Sequence, residues 1–326
     1  MKAEEILSLL GSYSGYLSVK DLANKAGIST SAVGKHMTRL RSYGYDIEST
    51  HRRGYRLAGK TELPLPWELV KILKTSFVGK KKMIYYRHAI LSTQKIAISL
   101  AAVNPNSQGI VIIAEQQKRG RGRQNRSWLS PKGGIWLSVI LKPTMPSSRI
   151  TLLPFAAALA VIDAIKKNTQ LDAKLRWPND VTISGKKVAG ILIDIGTESE
   201  QVNYVVVGVG INANIDSSAI SSRLERGIAV TSISDELGHN TNMLKLTKEL
   251  LERLENYYLK LERSGPYTII ERWKENSDIL GCKVSVVQNN KTIQGIAADI
   301  NGDGSLLLRT DCGDIDVIAG DIYVRY

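Results

Sequence analysis

The stretch GIVIIAEQQKRGRGRQNRSW, residues 109–128, joins an aliphatic run to a loop of high positive charge. The aliphatic run predicts a buried β-strand, because a short continuous apolar segment is typical of strands covered on both faces. Residues 118–128 then hold five cations, two glycines, one aromatic side chain and no acid. Glycines let a backbone approach a ligand closely, and arginine guanidinium groups match phosphate and carboxylate oxygens. The loop therefore predicts an anion site.

Three other interpretations of this loop remain open. It could contact nucleic acid as an arginine-glycine tail does, lie solvated on the surface, or act as a protease-sensitive linker. Its position between two predicted strands, 109–115 and 134–141, places it inside a domain. The sequence has neither GxxxxGK[ST] nor GxGxxG after a strand, so neither common phosphate loop is available to hold a nucleotide.

A second group of polar residues follows further along the chain. RWPND, residues 176–180, ends a strand in a proline turn and places the amide of Asn179 beside the carboxylate of Asp180. Such a pair could hold Mg²⁺ on a triphosphate, although Asn-Asp is also ordinary turn chemistry. Lys187 begins an apolar strand and could hold a carboxylate against a phosphate, or be a simple strand-end lysine. Asn212 follows another buried strand, where ligands often bind.

Composition narrows the class of protein. A chain of 326 residues with 43% hydrophobic residues suits two or three globular domains. No apolar run reaches the roughly 18 residues of a membrane span, and the acidic start is unlike a secretion signal. Cys282 and Cys312 lack metal-ligand spacing, so we expect reduced thiols, a cytoplasmic location and no membrane partner. The net charge of +13 suggests polyanionic partners, with a basic surface for solubility as the alternative.

The first sixty residues predict a winged helix-turn-helix. Helices are expected over 3–10 and 17–26, the second capped by Ser18, and a third from Ser29 or Thr30 to about Tyr43. Residues 46–50 and 54–57 can pair as a hairpin, which would form the wing. The expected DNA contacts lie on the third helix and at the wing tip: Ser31, Lys35, His36, Arg39, Arg52 and Arg53. A three-helix packing module with a solvated basic face is the alternative.

The rest of the chain predicts an α+β architecture with a mixed sheet. Strands are expected over 82–86, 109–115, 134–141, 175–177, 181–184, 187–195 and 204–211, and helices over 150–167 and 244–261. A tight hairpin turn at 184–186 argues against a doubly wound parallel sheet. Short strands at 284–287, 292–298, 305–309 and 314–318 predict a small all-β domain. The predicted organisation is a DNA-binding domain at 1–60, a linker at 61–66, a catalytic domain at 67–274 and a C-terminal domain at 275–326.

Together these residues resemble the biotin–protein ligases of the bifunctional type that also repress the biotin operon. The markers are the Gly-Arg-Gly-Arg loop at 120–123 continuing through Arg126 and Trp128, Trp-Pro-Asn-Asp at 177–180, Lys-Val-Ala-Gly at 187–190 and Gly-Val-Gly-Ile-Asn at 208–212. The resemblance covers essentially the whole chain. It implies a central domain related to class II synthetases and an SH3-like C-terminal β-barrel.

The resemblance also implies a role for each matching residue. Catalytic roles fall on Lys187, Arg123, Arg121 and Asp180, and Asp180 is the implied Mg²⁺ ligand. The implied biotin contacts are Ser92, Thr93, Gln94, Gln117, Arg121, Gly122, Arg123 and Lys187, and the implied nucleotide contacts are Arg123, Asn179, Asn212 and Arg325. The chain departs from the family in having Gln94 for the frequent asparagine, Asn125 for a glycine and Arg176 for a lysine.

The implied reaction has two steps. Biotin and MgATP give biotinyl-5′-AMP, and a lysine of a biotin carboxyl carrier protein then takes the biotin. Operator DNA and a homodimer promoted by biotinyl-AMP complete the expected partners. A ligand-responsive repressor without ligase activity and a lipoate-type ligase are the alternatives. A lipoate-type ligase would not need the winged helix, and the Gly-Arg-Gly-Arg loop fits biotin ligases better.

Overall fold

The computed structural model describes residues 2–80, 83–198, 201–221, 229–288 and 291–324. The chain forms two compact units, Met1–Trp67 and Glu68–Tyr326. The finer division at residues 60, 66 and 274 stays a prediction.

The first unit is a three-helix arrangement followed by a hairpin, as predicted. Its elements are α1 Lys2–Gly11, α2 Val19–Ala26, α3 Thr30–Ser42, β1 Asp46–Thr50 and β2 Gly54–Gly59. The Ser18 side chain accepts from the Asp21 amide and Ser29 from the Ala32 amide, so each hydroxyl caps its helix. Val33, Met37 and Leu40 are buried on one face of α3, which confirms the core predicted from their spacing.

The hairpin of the first unit has the predicted wing geometry. Strands β1 and β2 pair antiparallel, and residues 51–53 at their tip are exposed. The predicted linker is packed, because the Thr61 hydroxyl donates to the Tyr43 carbonyl at 2.6 Å and Leu65 is fully buried.

The second unit contains a mixed sheet and a smaller antiparallel sheet. The helices from residue 66 onward are α4 Pro66–Ile72, α5 Thr93–Val103, α6 Ser147–Ile150, α7 Leu153–Thr169, α8 Ser217–Ser221, α9 Ile233–Leu237, α10 Met243–Ser264 and α11 Tyr267–Glu275. The strands are β3 Ile84–Ile90, β4 Val111–Arg121, β5 Ser127–Ser130, β6 Ile135–Leu141, β7 Ala173–Arg176, β8 Asp180–Ile183, β9 Lys186–Glu198, β10 Gln201–Ile211, β11 Lys283–Gln288, β12 Lys291–Ile300, β13 Leu306–Thr310, β14 Gly313–Val317 and β15 Asp321–Val324.

The larger sheet runs in the order β3-β4-β6-β10-β9-β8-β7, with β5 paired to β4. Only β3 and β4 are parallel among its described strand pairs, so the predicted mixed sheet is confirmed. The turn between β8 and β9 has positive φ at Ser184 and Gly185, the geometry of a two-residue hairpin. Helices α7 and α10 pack together on one face of the sheet.

The strand predictions need correction at β3, β4, β5 and β15, and β5, which pairs with β4, was not predicted. β3 covers Ile84–Ile90 rather than 82–86, and Lys82 lies outside the described residues. β4 continues through the basic residues to Arg121, so the charged loop is shorter than 118–128. β15 was not predicted, and it completes the five-stranded sheet β14-β13-β12-β11-β15.

The apolar helix α7 lies in the core of the second unit. Residues 147–169 are long and apolar enough to cross a membrane by length and composition alone. Most of this segment is buried inside the second unit, where it packs against α10. A buried core helix explains its composition, because a helix that is apolar all round suits the interior of a large domain.

Candidate functional site

A cavity of about 400 Å³ lies over the larger sheet, beside the first turn of α5. That volume is within the usual range for small-molecule sites. The predicted small-molecule contacts within the described residues all line it: Ser92, Thr93, Gln94, Gln117, Arg121, Gly122, Arg123, Asn179, Asp180, Lys187 and Asn212. Arg325, the remaining predicted contact, lies outside the described residues.

Glycines on β9 and β10 make room for the cavity and for two of its side chains. A Cβ on Gly208 would lie 2.4 Å from Gln94 Oε1. Cβ atoms on Gly190 and Gly210 would lie 2.9 Å and 2.7 Å from the Trp128 indole. The glycines of two sequence markers are therefore required by close packing against the cavity wall.

One end of the cavity is polar and buried. The Gln117 Oε1 atom accepts from the Thr93 amide at 2.7 Å, and Ser138 Oγ donates to Gln94 Oε1 at 2.8 Å. Ser92 Oγ is buried and has no hydrogen-bond partner among the described residues. Buried polar groups are normally satisfied, so this hydroxyl marks a place for a polar ligand atom.

The other end of the cavity is cationic. Lys187 Nζ lies 2.7 Å from Asp180 Oδ1 and 5.1 Å from the centre of the Trp128 ring. Arg123 donates to Asn179 Oδ1 at 2.9 Å. Burial lowers the pKa of the Arg123 guanidinium, and the carboxylates of Asp321 and Asp180 partly offset that effect. The arrangement can bind and polarise an anion.

The donor set fits one Mg²⁺ ligand from the protein. Asp180 provides a carboxylate at the cavity wall, and its side chain is about one-quarter exposed. The Asn179 amide is already used, because its Nδ2 donates to the Ile191 carbonyl at 2.7 Å and its Oδ1 accepts from Arg123. Mg²⁺ commonly takes one or two carboxylates and completes its shell with water and substrate phosphates. Asp180 alone is compatible with that pattern.

The short loop after β4 explains one departure from the family. Gln124 and Asn125 have φ angles of 52° and 59°, in the left-handed region. Asparagine tolerates this conformation better than most residues, so Asn125 can stand where glycine is usual. Arg126 of the same loop forms an ion pair with Asp321 on β15, which joins the loop to the smaller sheet.

Sequence reasoning did not predict Trp128 as a wall residue, the lining residues Ser138 and Asp321, or Asp194, which hydrogen-bonds to two lining residues. Ser138 carried a signal, since it is the one polar residue in the apolar strand β6. Asp194 and Asp321 carried none, because their contacts join segments far apart in sequence. Trp128 Nε1 is buried without a hydrogen-bond partner in the described part of the chain, so it is a further donor near the cationic end.

The predicted DNA contacts of the first unit lie on α3 and at the tip of the β1–β2 hairpin. Ser31, Lys35, Arg39, Arg52 and Arg53 are exposed, and His36 is half-buried. The guanidinium of Arg39 donates to the Tyr43 hydroxyl through Nε at 3.3 Å and Nη2 at 3.2 Å. This surface presents cations without carboxylates on the described turns of α3.

Comparison with known proteins identifies each region. Residues 88–212 match the biotin/lipoate A/B protein ligase family, 2–56 an HTH domain and 279–325 the biotin protein ligase C-terminal domain.

The bifunctional ligase/repressor BirA of Bacillus spizizenii is 34% identical over 98% of this chain and 96% of its own. A biotin–[acetyl-CoA-carboxylase] ligase of Paracoccus denitrificans is 29% identical over 71% of this chain and 96% of its own. The biotin protein ligase of Aquifex aeolicus, solved with biotin and ATP, is 26% identical with a TM-score of 0.64, over 75% of this chain and 99% of its own. With its helix-turn-helix unit and its cavity, the chain belongs to the biotin protein ligases, in their bifunctional ligase/repressor form.

Proposed function

We propose that the chain activates biotin with ATP and transfers it to a lysine of a biotin carrier domain. One observation carries the proposal: a single cavity has a buried polar end and a cationic end that contains Lys187 and Arg123, and Arg121 also lines it. Biotin is a bicyclic urea with a carboxylate tail, and its urea ring needs the buried polar end. The α-phosphate that the carboxylate attacks needs the cationic end. The Aquifex ligase with biotin and ATP supports the choice of substrates.

In the first step the biotin carboxylate attacks the α-phosphorus of ATP, and pyrophosphate leaves. Negative charge is spread over oxygens throughout, so the protein acts by positioning and by placing cations. Lys187 is the cation proposed to contact both the carboxylate and the phosphate, and its position in the cavity lining supports this role. Mg²⁺ bound with the triphosphate would neutralise phosphate charge, with Asp180 as its protein ligand.

In the second step the carrier lysine attacks the carbonyl of the mixed anhydride, and AMP leaves. The arginines of residues 120–126 hold the adenylate, and their closure excludes water from the anhydride. Asp180 is the proposed base for the incoming amine, since its carboxylate lines the cavity next to Lys187. The relative named for acetyl-CoA carboxylase supports a carrier domain of that enzyme as the acceptor.

The helix-turn-helix unit supports a second function, repression at an operator. A single winged helix makes few base contacts, so specific binding requires two half-sites and a dimer. We propose that biotinyl-AMP promotes that homodimer by ordering loops of the second unit before association, which lowers the entropy cost. The proposed location is the cytoplasm, where ATP and operator DNA occur.

Pyrophosphate release tests the enzymatic proposal. The protein should release pyrophosphate from ATP when biotin is added and not when lipoate replaces it. Release with lipoate alone would favour a lipoate-type ligase. Absence of release with either acid, while operator DNA is still bound, would favour a repressor without ligase activity.

A further inference from the structure

Asp194 of β9 contacts residues that line the cavity. It does not line the cavity, and its side chain is about one-quarter exposed. Its Oδ2 accepts from Gln94 Nε2 at 3.0 Å and lies 3.4 Å from Arg121 Nη1. One carboxylate oxygen thus connects the first turn of α5 with the end of β4, and both segments contribute residues to the cavity lining.

This carboxylate sets the direction of a hydrogen-bond chain at the polar end. An ionised carboxylate only accepts, so the Gln94 amide must turn its NH₂ group toward Asp194. The second N–H of that group donates to the Val206 carbonyl at 3.0 Å, and Oε1 then faces Ser138 Oγ. Both hydrogens of the amide are therefore committed within the protein, and the free lone pair of Oε1 is the acceptor left for a ligand.

The chain extends across the floor of the cavity. Ser138 Oγ lies 2.9 Å from Thr93 Oγ1, and the Thr93 amide donates to Gln117 Oε1. Gln117 Nε2 in turn donates to Ser130 Oγ at 2.9 Å. Because each amide is oriented by its neighbour, reversing Gln94 at one end would present the wrong group to a ligand bound there.

The same carboxylate restrains Arg121. The Arg121 side chain is 30% exposed and its charge would otherwise favour full hydration. A partly buried carboxylate beside it keeps the guanidinium at the cavity wall before any ligand arrives. A group positioned in advance costs less to order on binding.

We propose that Asp194 is a positioning residue that fixes the Gln94 amide and the Arg121 guanidinium in the orientation that biotin requires. The proposal rests on the proposed function, because it takes Gln94 and Arg121 as ligand contacts. The Asp194 carboxylate acts through these two side chains, and it does not contact the substrate itself.

Calorimetric titration with biotin alone tests the proposal without catalysis. Asp194→Asn keeps the size of the side chain, removes its charge and adds N–H donors that oppose Gln94. We expect biotin affinity to fall on the order of tenfold, the effect of losing one hydrogen bond to a charged group. Glu198→Gln, the same chemical change on an exposed residue of β9, should leave affinity unchanged. Equal affinities for Asp194→Asn and the unmodified protein would overturn the proposal.

Repeating the substitution in two further variants separates a positioning role of Asp194 from a general loss of structure. The penalty of Asp194→Asn should be smaller in Gln94→Ala and in Arg121→Ala than in the unmodified protein, because contacting residues are coupled. The same penalty in both backgrounds would contradict action through these residues. If Asp194→Asn does not fold, Asp194→Glu keeps the charge and moves it by one methylene, and its biotin affinity should also fall. An unmodified protein that binds no biotin would instead overturn the proposed function itself.

Discussion

At the scale of single residues, Lys187 is the cation to which we assign the largest part in the first step. Its ammonium lies between the Asp180 carboxylate and the Trp128 ring, in the wall of the cavity. Its neighbour Lys186 is exposed and pairs with Glu236 outside the cavity. Adjacent lysines on one strand therefore provide a matched pair for testing the role of position.

Lys187→Ala should slow biotin-dependent pyrophosphate release, because the transition state loses about 2–4 kcal/mol of stabilisation. That is the typical effect of removing one electrostatic donor. Single-turnover release of pyrophosphate at saturating substrates measures this loss. Lys186→Ala is the control and should retain the unmodified rate. Unchanged release in Lys187→Ala would remove Lys187 from the first step.

Arg123→Gly should weaken retention of biotinyl-AMP. Arg123 lines the cavity and is held by Asn179, so its loss opens the wall where the adenylate phosphate is expected. The released anhydride should label lysines of bystander proteins, which mass spectrometry detects. Arg119→Gly removes an exposed cation of β4 and should not increase such labelling. An adenylate off-rate identical to that of the unmodified protein would contradict the assignment.

At the scale of elements, helix α10 fixes the turn before β3 through one carboxylate. Glu255 accepts hydrogen bonds from the Ser76 amide at 2.5 Å, the Ser76 hydroxyl at 2.6 Å, the Phe77 amide at 2.9 Å and the Val78 amide at 2.8 Å. Burial alone would raise the pKa of Glu255, but these donors outweigh it and hold that pKa below its usual value. The ionised carboxylate is therefore part of the fold of the second unit.

Glu255→Gln should lower the free energy of unfolding by roughly 1.5–3 kcal/mol near neutral pH, the range for hydrogen bonds to a charged group. The folded pKa lies below the unfolded one, so this stabilisation is present above the unfolded pKa and is lost as pH falls through the folded pKa. Urea denaturation at several pH values should show the two proteins converging under acid. Glu271→Gln, on the more exposed α11 surface, should show no such trend.

The elements differ in how far their sequences determine them. Helices α2 and α3 could be predicted, because capping serines and an apolar stripe are local signals. The end of β4 could not, since its pairing with β5 overrides the polarity of residues 117–121. The site was predicted as separate motifs, whereas the link from Gln94 to Asp194 spans 100 residues and exists only through the sheet order.

At the scale of the whole molecule, one chain contains two compact units with different functional surfaces. The first presents cations on α3 and at the wing tip, and the second contains the cavity. Nothing in the first sixty residues predicts a strong dimer zipper, so we expect the dimer surface in the second unit. Biotinyl-AMP would then act as corepressor, and an unmodified carrier would compete for the monomer.

Sedimentation with and without biotinyl-AMP should show tighter dimerisation when the adenylate is present. Operator binding at fixed salt should strengthen in parallel, because two half-sites are then bound together. Lys35→Ala should weaken operator binding and leave dimerisation unchanged. Dimerisation and operator affinity that are both indifferent to the adenylate would show that the two units act independently.

The most direct test of the central claim is transfer of labelled biotin to a biotin carrier domain. Mass spectrometry of the carrier measures the transfer. The account predicts that the carrier gains one biotin on its acceptor lysine only when ATP is present. It also predicts that Lys187→Ala slows this gain and Lys186→Ala does not. A carrier that stays unmodified with the intact protein, ATP and biotin would contradict the assignment of the cavity as a biotin ligase site.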